Sequence, residues 1–137
     1  MKTFQLEIVT PDGPSFQGAV ETVVLPAAEG LLGVLHGHEP MVALMKAGPL
    51  HYEIGGKTEW LAVSGGFAQI GPDRVVLLAE TAEAAAAIDT VRAKASADQK
   101  QQALNAGRRE GVDYALLEAG LLKELVRIKV AEKGRRP

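Results

Sequence analysis

Cysteine is absent from the 137 residues, which removes disulfides, thiolate nucleophiles and thiolate metal sites together and accords with a reducing compartment. No apolar run approaches the roughly 20 residues that a membrane-spanning helix requires. Residues 1–10 alternate polar with apolar side chains, where a secretory signal would carry a continuous apolar stretch. The expectation is a soluble, cytoplasmic chain that does not insert into a membrane. Proline is missing between Pro72 and Pro137, so nothing in that stretch forbids long helices. The chain is long enough for one domain plus an appendage too thin to own a core, and too short for two full domains.

Hydrophobic residues make up 47% and charged residues 23% of the chain, proportions of a folded globular protein and not of a disordered one. The net charge of -2 conceals an asymmetry: residues 1–83 carry -6, and residues 84–137 carry +4. An acidic body precedes a basic tail.

The body reads as short strands separated by turn residues. Phe4, Leu6 and Ile8 alternate with Gln5 and Glu7 until Pro11-Asp12-Gly13-Pro14 ends the run. Further strand-length runs cover residues 19–25, 50–54, 59–63, 67–70 and 74–78, with Gly55-Gly56 and Pro72-Asp73 placed as hairpin turns. This spacing favours an antiparallel β-sandwich or partly closed barrel over βαβ units. After Leu78 alanine dominates. Asp89 is placed to N-cap a helix running to about Asn105, where Asn105-Ala106-Gly107 would end it. A second helix, from about Val112 to Lys133, carries Val112, Leu116, Leu122, Leu125, Val126, Ile128 and Val130 as an apolar stripe suited to burial. Two such helices form an antiparallel hairpin with little apolar area of its own, marginal without the β domain or a partner. Gly120 costs the second helix about 1 kcal/mol relative to alanine and either permits close helix approach or weakens its middle. The expected architecture is therefore mainly β plus α: an N-terminal sandwich over residues 1–83 and a helical hairpin over residues 84–137.

Ser64, the histidines and Asp73 supply the ingredients of a hydrolase triad, but Ala62-Val63-Ser64-Gly65-Gly66 lacks the G-x-S-x-G elbow. His36-Gly37-His38-Glu39 could approach a metal, yet has no second ligand pair, and a packing or partner-contacting loop is the simpler reading. Gly30, Gly33 and Gly37 lack the lysine spacing of a phosphate loop. The helical stripe contains no aromatic residue to favour a membrane interface, so packing explains it. In Ile88-Asp89-Thr90-Val91-Arg92-Ala93, a carboxylate and a guanidinium lie about one turn apart at a helix start, where free amides and the dipole favour phosphate. An ordinary cap with an exposed arginine accounts for the same residues.

Several segments in order resemble the epsilon subunit of bacterial F-type ATP synthases, over nearly the whole chain. They are Val9-Thr10-Pro11-Asp12-Gly13, the loop from Gly30 to Leu44 (GLLGVLHGHEPMVAL), Gly65-Gly66-Phe67 and Leu77-Leu78-Ala79. His36 stands where the family usually has proline, and Leu31 where many members have glutamate. The resemblance implies a non-catalytic central-stalk subunit, functioning in ATP synthesis and hydrogen ion transport. It implies a sandwich bound to the gamma subunit and the c-ring, with Leu31, His36 and His38 at the ring interface. It also implies a tail that folds as a hairpin or extends toward the alpha and beta subunits to inhibit hydrolysis. The implied location is peripheral, on the cytoplasmic face of the cell membrane, with no nucleic-acid partner, no metal and no required cofactor.

Some members of that family bind ATP as a regulatory ligand on the folded hairpin through Ile-Asp-x-x-Arg-Ala, which this sequence reproduces from Ile88 to Ala93. By the same likeness Glu83 and Arg127 match contacts, and Lys123 replaces a second arginine, keeping its charge without the bidentate fork. The implied ATP set is Glu83, Ile88, Asp89, Arg92, Ala93, Lys123 and Arg127. Alternatives from other classes are a stand-alone nucleotide sensor on the same scaffold and a small hydrolase at Ser64.

Overall fold

Alternating burial in the first strand sets the frame for everything that follows. In β1 (Phe4–Thr10), Phe4, Leu6 and Ile8 are buried while Gln5 is exposed, the period of a strand with one face on a core. The computed structural model describes residues 2–106 and 111–135, and the side chains of the second stretch from residue 114.

Seven more strands follow: β2 (Gly13–Val20), β3 (Thr22–Ala27), β4 (Gly30–Val34), β5 (Met41–Leu44), β6 (Gly48–Ile54), β7 (Lys57–Ile70) and β8 (Arg74–Ala84). They hydrogen-bond in the order β2-β1-β8-β7-β6-β3-β4, with β5 on the far half of β7, and enclose one core that includes Leu6, Ile8, Leu25, Leu50 and Leu77, all fully buried. All neighbouring pairs are antiparallel except β1 with β8, which run parallel. That pair corrects the all-antiparallel expectation; it joins the first strand to the last, so no hairpin constrains its direction.

The Gly55-Gly56 and Pro72-Asp73 turns lie where the sequence puts them. Gly55 and Gly56 have φ of +56° and +79°, the signature of a two-residue type I′ hairpin. Several strand boundaries differ from the sequence reading: β2 begins at Gly13, ahead of the run read from residue 19, and β8 continues past Leu78 to Ala84. The run 19–25 is divided at Glu21, whose N–H donates to the Glu53 carbonyl while its carboxylate accepts the Gly55 N–H at 2.7 Å. The runs 59–63 and 67–70 are one long strand, bent at Gly65-Gly66. Within the stretch 30–44, read as a loop on its glycines, histidines and Pro40, β4 and β5 form because β3 and β7 offer open edges to pair with.

After a single 3-10 turn (Ala85–Ala87), α1 (Thr90–Asn105) and α2 (Gly111–Gly134) pack together. Asp89 caps α1 as expected, its Oδ1 accepting the Arg92 N–H at 3.0 Å. Ala106 closes that helix; Gly107 and the Val112 side chain lie outside the described residues. The helices are antiparallel: Arg135 donates to Thr90 Oγ1, and the Lys100 stem lies across Gly120, where a Cβ would come within 2.9 Å of Lys100 Cε. The atoms met are the flexible end of a lysine, which can move aside.

The stripe on α2 is covered only in part. Val126, Val130 and Ala131 are buried with Ala62 and Ile88, whereas Leu116, Leu122 and Leu125 are at least half exposed. The reason is the partner helix: α1 buries only Ala93 and Ala97, and side chains that short cannot reach over leucines.

β7 is thus covered on both faces. Leu61 and Val63 point into the sandwich core, and Ala62 points to α2.

Candidate functional site

The hydroxyl of Ser64 is bonded to Thr81 Oγ1 across the β7–β8 pair, so the serine is a buried polar contact of the sheet. His51 stacks on Trp60, and His38 Nδ1 lies 2.8 Å from the Glu39 carbonyl; neither histidine bonds to Ser64. Among the described residues no group of three His, Cys, Asp or Glu side chains could hold a metal.

Of the residues implicated in nucleotide binding, the structure brings Glu83 and Arg127 into direct contact. Glu83 ends β8 on the face that receives α2. Arg127 Nη2 donates to Glu83 Oε2 at 3.1 Å, and Nε lies 2.9 Å from Oε1 without the alignment for a hydrogen bond. Arg127 Nη1 also donates to Glu124 at 3.2 Å, one turn back on α2. Burial alone would lower the Arg127 pKa; the hydrogen bond and charge of Glu83, then those of Glu124, outweigh it and hold the guanidinium above its ordinary value. The pair ties the sandwich to α2 across 44 residues of sequence.

Lys123 lines the same pocket, of about 150 Å³, with Ser64, Thr81, Glu83 and Arg127. That volume is well below the roughly 300 Å³ at which small-molecule clefts begin.

The other members of the set divide by role. Ile88 and Ala93 are buried, Ile88 among Ala62, Val126 and Val130. Asp89 is committed to the cap. Arg92 is exposed in the first turn of α1, its side chain making no hydrogen bond or ion pair among the described residues. Antiparallel packing sets it alongside the later part of α2, which carries Arg127. Glu124 was not legible as a site residue; its spacing of three from Arg127 on one helix was the available sign.

The residues assigned to the ring interface do not form one cluster. Leu31, 72% exposed, opens β4 beside Met41, Val42 and Leu44. His36 and His38 follow the other end of β4, about 16 Å further along an extended chain, in a turn pinned where the Gly37 N–H donates to the Pro72 carbonyl at 2.6 Å.

Next to Leu31 the sheet exposes a row of large apolar side chains. Leu44, Phe67 and Leu78 sit opposite one another on β5, β7 and β8 and are 55%, 53% and 51% exposed. The three form a contiguous apolar row on the exposed sheet face.

Residues 3–85 match the family described as the ATP synthase Delta/Epsilon chain beta-sandwich domain. A sandwich of this family carrying a helical hairpin is a non-catalytic subunit of an ATP synthase. The chain is 44% identical to the ATP synthase epsilon chain of Bacillus pumilus over 97% of its own length and all of that protein. It is 43% identical to that of Bacillus subtilis over the same shares. The chain belongs to the ATP synthase epsilon chain family. A chain of the Euglena gracilis mitochondrial ATP synthase, solved as an OSCP/F1/c-ring assembly, shares the fold with a TM-score of 0.71 at 23% identity, over 95% of this chain and 78% of that one. No helix among the described residues is long and apolar enough to cross a membrane.

Proposed function

We propose that this chain is a central-stalk subunit that couples proton-driven rotation to ATP synthesis, and that its C-terminal hairpin is a releasable brake on ATP hydrolysis. In this reading residues 1–83 bind the rotor, through gamma and the c-ring, and residues 84–137 regulate. The complex sits at the cytoplasmic face of the membrane, and the subunit is peripheral to it.

The observation that carries the regulatory part is the disparity in attachment. Among the described residues, seventeen buried side chains hold the sandwich together, whereas five form the cluster between α2, its approach and the sheet. An arm fixed by so few contacts, plus the Glu83–Arg127 pair, opens at far lower cost than the body unfolds. Its +4 charge suits acidic surfaces on alpha and beta when it extends. The apolar row Leu44–Phe67–Leu78 supplies a face for gamma, and Leu31 with the His36–His38 turn supplies two separate points for the ring.

The deciding experiment compares ATP hydrolysis by the assembled complex carrying either the full chain or a chain truncated after Ala87. A brake predicts several-fold faster hydrolysis with the truncated chain; equal rates in intact assemblies reduce the chain to a coupling subunit.

ATP is proposed as the regulatory ligand of the folded hairpin, held by Arg92, Lys123 and Arg127 with Glu83 and the Asp89 turn. Supporting it are the Arg92 side chain, unpaired among the described residues, beside a capped helix start, and the adjacency of Lys123 to Arg127. Glu83 and Glu124 compete with phosphate for Arg127, so Arg92 and Lys123 carry most of the anion. Titrating ATP into the isolated chain should release heat and shift the amides around Arg92. Arg92→Ala should weaken binding about tenfold or more, the worth of one charge-assisted hydrogen bond at about 1.5–3 kcal/mol. Absence of heat and of shifts in the native chain would remove ATP from this account.

A further inference from the structure

Strand alternation turns Leu50 and Tyr52 of β6 into the core and His51 to the opposite face, directly across from Trp60 of β7. The two rings are 4.4 Å apart and tilted by 42°. Over the same Trp60 ring sits Nζ of Lys133, 4.7 Å from the centroid, from the last turn of α2. The three residues border an open cleft of about 620 Å³ between the end of α2 and the β6–β7 hairpin. They lie apart from the Glu83–Arg127 pair, which grips α2 about two turns earlier.

We propose that His51, Trp60 and Lys133 form a proton-sensitive latch that keeps the end of α2 on the sandwich at neutral and alkaline pH and releases it in mild acid. This rests on the reading of the hairpin as a regulatory arm, and it adds what lets the arm leave the sandwich.

The chemistry is a competition for one ring. A lysine ammonium is attracted to the electron-rich face of an indole, and a neutral imidazole on that ring leaves the attraction intact. A protonated imidazole is a second cation beside Lys133, and its repulsion weakens the hold of the ring on the ammonium. Lys133 is on the arm that can move.

The charged groups around His51 are mixed. On its own strand Glu53 favours the imidazolium; it is 3.4 Å from Thr58 Oγ1. β7 brings Lys57 and Glu59 to the cleft, and α2 brings Lys133. β3 places uncharged Val24 opposite His51, and Glu21 at its edge is taken by the Gly55 N–H. Burial lowers the His51 pKa most; Glu53 opposes it and Lys133 adds to it, and the net direction is down. Docking is therefore fully supported above the ordinary histidine value of about 6.5. It weakens as pH falls through that value, because the released state, without Lys133 and its cover, binds the proton more readily.

The test uses the full chain. Amide hydrogen exchange of α2 is followed at about pH 8 and about pH 5.5, corrected for intrinsic rates and referenced to the strands. Trp60, the single tryptophan, reports the same site by fluorescence. The latch predicts that α2 loses protection on the order of threefold or more in acid while the strands keep theirs, and that His51→Gln, which cannot be protonated, removes the difference. Equal protection of α2 at both pH values, or the same loss in native and His51→Gln chains, overturns it. Should His51→Gln not fold, the His51 imidazole titration by NMR reads the coupling in Lys133→Gln: an upward shift supports the latch and no shift overturns it. These readings need no partner subunit, so a failed latch leaves the brake to the truncation experiment, and equal hydrolysis rates there leave the latch standing.

Discussion

Replacing Gly66 by alanine should leave the chain without a stable sandwich. Gly66 has φ of +109°, a region that side chains rarely enter. A Cβ built there overlaps the carbonyl oxygen of Leu78 and lies 2.8 Å from its carbonyl carbon and 3.0 Å from Ala79 Cα. All three are backbone atoms of the neighbouring strand, so no rotamer change relieves the clash. The strand must move, and it is β8, which carries the fully buried Val75 and Leu77 and bridges β7 to β1. A penalty on the order of 4 kcal/mol or more is expected, a large part of the roughly 5–15 kcal/mol that holds a domain together. Gly56→Ala is the control: its φ is +79° but nothing lies within 4 Å of the added carbon, so only the backbone strain of about 1–3 kcal/mol remains. Urea denaturation followed by far-ultraviolet circular dichroism separates the two. A Gly66→Ala midpoint equal to that of Gly56→Ala would mean that β7 and β8 can repair the contact, and the bend at Gly65-Gly66 would lose its structural role.

Gly66 also illustrates which parts of the fold were legible in the sequence. Turn chemistry located the two hairpins at Gly55-Gly56 and Pro72-Asp73 because those dipeptides act through local φ and ψ. Asp89 was legible as a cap for the same reason. β4 and β5 were not, since neither Gly30–Val34 nor Met41–Leu44 alternates or contains strong strand residues throughout; each is a strand because a neighbour offers an edge. The parallel contact of β1 with β8 was hidden likewise, being a contact between chain positions some 70 residues apart. Of the candidate site, Glu83 and Arg127 could be named but not joined by periodicity. Their pairing depends on which face of β8 meets α2, a property of the docked hairpin. His51, Trp60 and Lys133 gave no motif at all, because their meeting follows from the β6–β7 register and from where α2 ends.

Val130→Asp should free the hairpin while leaving the sandwich folded. Val130 is fully buried among Ala62, Ile88, Val126 and Ala131, all apolar, so an aspartate there loses about 1.5–3 kcal/mol of side-chain burial and adds an uncompensated buried charge worth several kcal/mol. Together these exceed the roughly 5.5 kcal/mol that converts a 99:1 equilibrium to 1:99. The sandwich core contains no residue of α2, so the strands should keep their exchange protection and the urea midpoint of the body should be unchanged. Trypsin, which needs an accessible lysine or arginine, should cut at Lys123, Arg127 and Lys129 more than tenfold faster than in the native chain. The Trp60 emission should change, since Lys133 leaves its ring with the helix. In the assembled complex a permanently released tail, free to extend toward alpha and beta, should lower ATP hydrolysis, the opposite of what truncation after Ala87 does. Equal tryptic rates in native and Val130→Asp chains would show that the Val126–Val130 cluster does not hold the arm, and would shift the whole of its attachment to the Glu83–Arg127 pair and the Trp60–Lys133 contact.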